Sequence, residues 1–249
     1  MVVGARTRGS ERVILRRVKI TVVGASGLIG TKVVEALRSE GHDVVASSRS
    51  SGVDVLTGAG LADALAGAKV LIDVTNSPNL EGVPAMEFFT TSAPNLVDAA
   101  RQAGVGHYVA LSIVGVDGLP ASGYFRAKVA QEKVITESGI PYSIVRATQF
   151  AEFADAITES LTVGDEVRVP DALIQPILAG DVAAAVARAA AGRPLNGIVN
   201  VGGPEKVTFE QLARDALARR GDDTKTVVVD PSARYFGAPL GMTSLVAPD

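Results

Sequence analysis

The chain has 249 residues, 24 of them basic and 27 acidic, for a formal net charge of −3. Apolar residues make up 47%, enough for a sizeable core, which excludes wholesale disorder. There is no cysteine, hence no disulfide, thiolate metal site or cysteine nucleophile, and the only two histidines, His42 and His107, make a histidine-rich metal centre a poor expectation. Without a basic excess or an apolar run near the ~18 residues that span a bilayer, neither nucleic acid nor membrane is an expected partner.

Residues 1–17 carry Arg6, Arg8, Arg12, Arg16 and Arg17 against Glu11. They lack the layout of a secretory signal and read as a disordered basic tail or an upstream start, with a transit peptide as the alternative. The expected location is the cytoplasm.

From Val18 onward, short β-rich runs alternate with helical ones. Strands are expected at Val18–Val23, Val44–Ser48, Val53–Leu56, Val70–Thr75, His107–Ile113 and Tyr142–Val145. Helices are expected at Leu28–Glu40 (stopping at Gly41), Leu61–Ala66, Ala85–Gly104 around Pro94, and Tyr124–Ser138. Beyond Arg146 the pattern loosens into helices at Ala151–Leu161, Val182–Ala191 (with Asp181 as its cap) and Thr208–Arg220, and strands at Glu166–Val169, Gly197–Val201 and Lys225–Val229. Strands alternating with helices imply an α/β fold, a doubly wound parallel sheet with apolar strands covered on both faces. Residues 18–249 read as one domain, with a small C-terminal lobe at about 148–180 and 203–249.

The sharpest motif is VVGASGLIG, with Gly24, Gly27 and Gly30 between a predicted strand and a predicted helix. In that context Gly24 permits a tight turn, Gly27 the approach of a diphosphate, and Gly30 close helix–strand packing. Helix N–H groups and the positive end of the dipole then hold the anion, and Ser26, Leu28 and Ile29 share the loop. The blander alternative is that the glycines only end a strand. Ser48 and Arg49 follow the second strand, where an acid would accept from a ribose 2′-hydroxyl; an arginine instead suits a 2′-phosphate, so NADP is expected ahead of NAD.

Tyr124 and Lys128 lie at i and i+4 on one helix face. A tyrosine of ordinary pKa near 10 is a poor catalyst at neutral pH, and a lysine ammonium beside it would stabilise its phenolate. Ser112, at the end of the fifth strand, could orient a substrate carbonyl. His42 and His107 beside glycines read as turn residues, Phe88, Phe89, Phe150 and Phe153 as core or pocket packing, and Phe209–Arg220 as a solvated face.

Together these motifs resemble the short-chain dehydrogenase/reductase superfamily and, within it, the atypical NmrA-like branch of NAD(P)H-binding proteins. The resemblance spans about residues 18–202 and implies a Rossmann fold with a C-terminal substrate lobe. VVGASGLIG matches its cofactor loop, Asp54-Val55 an adenine-contacting step, and Val74-Thr75-Asn76 a segment lining the cofactor. Ser112, Tyr124 and Lys128 match its catalytic triad, and GIPYSIVRATQF puts Thr148, Gln149 and Phe150 near the nicotinamide and substrate. Ile113 stands where a second serine is frequent, and Thr90-Thr91 about where many relatives carry a catalytic asparagine. The implied activity is NADP-dependent hydride transfer to a small carbonyl or quinone-like substrate by a monomer or homodimer. An NADP(H)-binding redox sensor with a regulatory protein partner is the alternative. A nucleotide-sugar epimerase is a third reading, for whose large sugar-nucleotide lobe 249 residues leave little room.

Overall fold

A computed structural model of the protein describes residues 17–248; the expected basic tail falls almost wholly on residues outside that range. Six parallel strands form the central sheet: β1 (Lys19–Val23), β2 (Asp43–Ser47), β3 (Val70–Asp73), β4 (His107–Ile113), β5 (Tyr142–Ala147) and β9 (Gly197–Val201), in the order β2-β1-β3-β4-β5-β9. The doubly wound α/β fold is therefore present. The order reverses between β1 and β3, and an open sheet of this kind forms its ligand crevice outside the carboxyl ends of the strands at that point.

Alternate residues of each strand face opposite layers. Ile20, Val22, Val109 and Val145 pack under α1 (Leu28–Ser39) and α6 (Ala179–Ala191). Leu71, Tyr108 and Ile144 pack on the other face, under α2 (Leu61–Leu65), α3 (Gly82–Gln102) and α4 (Gly123–Thr136). A third cluster joins α3 and α4 to the C-terminal lobe: α5 (Ala154–Ser160), a three-stranded sheet of β6 (Thr162–Val163), β7 (Glu166–Val169) and β11 (Thr226–Val229), a pair formed by β8 (Leu173–Ile174) and β10 (Val207–Thr208), and α7 (Phe209–Arg220). Among the described residues no helix is long and apolar enough to cross a membrane.

Several expectations need correction. Val53–Leu56 is not a strand: its backbone bonds close within the loop, Val53 N–H to Ser48 and Asp54 N–H to Ala59, between the left-handed Gly52 and Gly58. The Asn95 carboxamide of α3 takes the Val55 and Leu56 carbonyls that a neighbouring strand would have taken. Asp181 is not a cap but lies inside the first turn of α6, which starts at Ala179; the acceptor for Ala179 N–H is the Glu152 carboxylate, 2.9 Å away. His107 is no turn residue: it opens β4, buried, with Nε2 2.9 Å from Ser143 Oγ. Burial lowers its pKa to about 4. The expected helix over 151–161 divides into a 3₁₀ turn at Ala151–Phe153 and α5.

Candidate active site

A cavity of about 1150 Å³ opens at the carboxyl ends of β1, β2, β3, β4 and β5. Gly24, Ser26, Gly27, Leu28 and Ile29 form one wall. The three glycines differ in what a side chain would meet. Gly24 has φ +87°, and a Cβ there would lie 2.8 Å from the Val74 carbonyl oxygen. At Gly30 a Cβ would fall 2.1 Å from the Gly24 carbonyl oxygen, so this residue lets α1 seat against the loop. At Gly27, the helix N-cap, the nearest atom is 3.4 Å away. The protein itself leaves room there, at a helix N-terminus that no side chain caps.

Ser48 and Arg49 border the same cavity, and the Arg49 guanidinium makes no hydrogen bond or ion pair with the described residues. Val55, Val74, Thr75 and Asn76 continue the wall. Asp54 does not line it: its carboxylate turns back to accept Leu56 N–H at 2.8 Å.

Tyr124 and Lys128 both line the cavity from α4, and both are buried. Gly82 and Gly123, the first residues of α3 and α4, allow this close approach; a Cβ on Gly123 would come 2.4 Å from Gly82 Cα. The expected coupling between the two side chains is not formed. The Tyr124 hydroxyl donates to Asn76 Oδ1 at 2.9 Å, and burial pushes its pKa up to about 12 against the lowering effect of that bond. Lys128 Nζ donates to the Leu111 carbonyl at 2.9 Å and to Gln131 Oε1, over the Phe89 ring. Burial lowers its pKa to about 8, opposed by Asp73 and Glu132. Gln131 in turn donates to the buried Asp73, which also accepts from Tyr108 and Thr75. This network joins α4 to the ends of β3 and β4. A second tie is the buried pairing of Arg146 with Glu132 of α4, at 2.9 and 2.6 Å, which Arg146 extends to the exposed Asp117 at 3.0 Å.

Ser112 Oγ, Thr148 Oγ1 and Gln149 Oε1 are buried polar atoms without a protein partner, and their residues all line the cavity, with Phe150 beside them. A buried polar group without a bond is costly, so three in one cavity indicate a polar ligand that completes them. With the uncapped helix end and the clear space at Gly27, they fit a dinucleotide lying from the glycine loop to the end of β5. Thr90 and Thr91 are exposed on α3, and Thr90 bonds its own helix at the Met86 carbonyl. The carboxamide reaching Tyr124 is that of Asn76, whose position just past β3 was the available signal.

Sequence reasoning missed most of the far wall. Ala156, Ile157 and Ser160 of α5 and Arg234–Gly237 of the C-terminal segment complete the cavity with Phe153, which the sequence offered as core or pocket packing. Phe236 lies over Tyr124, ring centroids 5.4 Å apart at 33°.

Comparison with known proteins bears on the fold and the family. The chain is 30% identical over 259 aligned residues to a chloroplastic divinyl chlorophyllide a 8-vinyl-reductase of Cucumis sativus, covering 90% of this chain and 60% of that one. The chain spans between 51% and 61% of the length of the curated relatives it matches. Among solved structures, it shares a fold with MoeE5 in complex with UDP-glucose and NAD (21% identity, TM-score 0.67, 85% of each chain). It also shares one with the NADPH-dependent quinone oxidoreductase QOR2 of Escherichia coli complexed with NADPH (24% identity, TM-score 0.61, 85% of this chain and 77% of that one). Residues 24–192, more than half the chain, match the NAD(P)H-binding family, and the protein belongs to that family.

Proposed function

We propose that the protein is an NADPH-dependent oxidoreductase of the NmrA-like branch that reduces a carbonyl or quinone-like substrate. The observation that carries this is that Tyr124 and the residues of the unpartnered Ser112, Thr148 and Gln149 atoms line the same cavity as the glycine loop. Arg49, exposed and unpaired beside that loop, supports NADP over NAD, since a guanidinium pairs bidentately with a phosphate. Bound there, NADPH supplies the hydride.

The chain's own groups supply the rest. Tyr124, a neutral phenol below about pH 12, gives its proton to the substrate oxygen, while Asn76 fixes the direction of the hydroxyl. Ser112 donates a hydrogen bond to the same oxygen. Lys128, held by Leu111 and Gln131, presents its remaining N–H to the ribose hydroxyls. Thr148 and Gln149, whose side-chain oxygens are unpartnered, would help hold the nicotinamide end of the cofactor.

One observation favours a second reading. Tyr124 and Lys128 are each engaged elsewhere rather than with each other, as in a protein that senses NADP(H) and signals to a partner without turnover. NADPH consumption over a carbonyl and quinone panel separates the two. A rate that Tyr124→Phe abolishes while NADPH still binds supports the enzyme; no rate in either protein, with binding intact, supports the sensor.

A further inference from the structure

Aromatic residues are scarce in this chain, seven Phe and four Tyr with no Trp, yet five of those Phe and two of those Tyr line the one cavity. Its charge is equally uneven. The chain is net negative, but none of its acids among the described residues lines the cavity, whereas Arg49, Lys128 and Arg234 do. Lys128 is buried and bonded to Leu111 and Gln131, and Arg49 stands by the glycine loop. Arg234 is exposed, makes no hydrogen bond or ion pair with the described residues, and stands two residues before the ring that covers Tyr124.

The backbone of that segment is shaped for the purpose. Tyr235 and Ala238 exchange both N–H···O=C bonds, at 2.9 and 3.0 Å, around a two-residue turn at Phe236 and Gly237. Both turn residues have positive φ, +48° and +77°, a turn normally occupied by Asn, Asp or Gly. A phenylalanine there is strained, and such strain persists where the surroundings hold it, commonly at functional sites. Tyr124, Phe125 and Tyr235 hold it, with ring centroids 4.7–5.8 Å from that of Phe236, and the ring stays partly exposed in the cavity wall.

Resting on the oxidoreductase reading above, we propose that the turn at 234–237 selects the substrate: a flat conjugated carbonyl compound bearing an anionic group. Its ring stacks on Phe236, which places the carbonyl against Tyr124, and its anion pairs with Arg234.

The test uses 9,10-anthraquinone-2-carboxylate and its neutral carboxamide, titrated calorimetrically into the full chain with and without NADP⁺. The wild type is expected to bind the carboxylate at least tenfold more tightly. Arg234→Gln should erase that preference and leave carboxamide and NADPH affinity within about twofold of wild type. Phe236→Asn, which suits the turn and so should fold, is expected to weaken both quinones by a similar factor. Equal binding of the two compounds by the wild type, a preference that survives Arg234→Gln, or binding of neither compound would overturn the proposal. NADPH titration separates this failure from that of the underlying reading. A protein that binds and oxidises NADPH with neutral quinones but ignores the carboxylate sinks only the substrate assignment; one that binds no NADPH sinks the oxidoreductase reading.

Discussion

Gly27→Val separates binding from folding at the glycine loop. At this position φ is −79° and the nearest atom to an added Cβ is 3.4 Å away, so a side chain strains neither backbone nor packing. Valine is a poorer N-cap than glycine by about 0.5–1 kcal/mol, and reduced freedom of the unfolded chain returns about 0.4–1 kcal/mol. The melting temperature should therefore move by no more than about 2–4 °C. The branched side chain nevertheless occupies the space in front of the α1 N-terminus, where the proposed cofactor would set its diphosphate. NADPH at a hundred times its Kd stabilises a binding-competent protein by about 2.7 kcal/mol, or roughly 5–11 °C for a chain of this size. Differential scanning fluorimetry with and without NADPH should show that rise in the wild type and none in Gly27→Val. Gly30→Ala is the contrasting control: its Cβ would meet the Gly24 carbonyl at 2.1 Å, so it should lose stability even without ligand. A native thermal shift in Gly27→Val would refute the placement of the cofactor.

Arg49→Glu should invert the order of NADPH and NADH affinities, removing a phosphate contact worth about tenfold to a hundredfold; nicotinamide fluorescence titration showing NADH preferred by the wild type would contradict the role given to Arg49. Arg146→Met leaves the buried Glu132 carboxylate without its bidentate partner and should cost about 3–5 kcal/mol in urea unfolding, with Arg146→Met/Glu132→Leu recovering a large part; a single variant as stable as wild type would show the pair to be dispensable. His107 is neutral when folded down to about pH 4 but protonates near 6.5 when unfolded, so the unfolded state gains protons first as pH falls. Its contribution is complete above pH 6.5, and about 3 kcal/mol of it is lost between pH 7 and pH 4; His107→Gln should flatten that part of the urea midpoint curve, and an unchanged slope would rule the histidine out.

What could be read in the sequence was what repeats locally. The central strands and the glycine loop are each encoded within a few neighbouring residues, as apolar runs or a fixed spacing, and the sheet and its ligand-binding end follow from their alternation. Features that depend on distant residues were not legible. The α6 cap is supplied by Glu152, 27 residues before Ala179. The loop read as a third strand is fixed by Asn95, about 40 residues further on. Lys128 and Tyr124 have the right spacing on α4, but their bonds go to Gln131, Leu111 and Asn76, which depend on how α4 packs on the sheet. The far wall of the cavity was hidden most completely, because its turn keeps only Gly237 of the Asn-Gly pair that announces such turns, with Phe236 in the place of the asparagine.

The electrostatics of the site also bear on the direction of its chemistry. A group that starts the reaction as a proton donor must be protonated at working pH; one that starts as a base must be ionised. Tyr124 is buried and has no cation in contact with its oxygen among the described residues, and burial raises its pKa to about 12. In this state it is a phenol. Giving its proton to a substrate, or taking one from an alcohol, requires the phenolate, which with the residues as they stand is disfavoured by roughly 7 kcal/mol at pH 7. Only a positive charge brought close, from a freed Lys128 or an oxidised nicotinamide, would offset it. Because reduction ends in the same phenolate from which oxidation starts, this penalty favours neither direction; it makes a cation brought beside the Tyr124 oxygen a requirement for proton transfer either way.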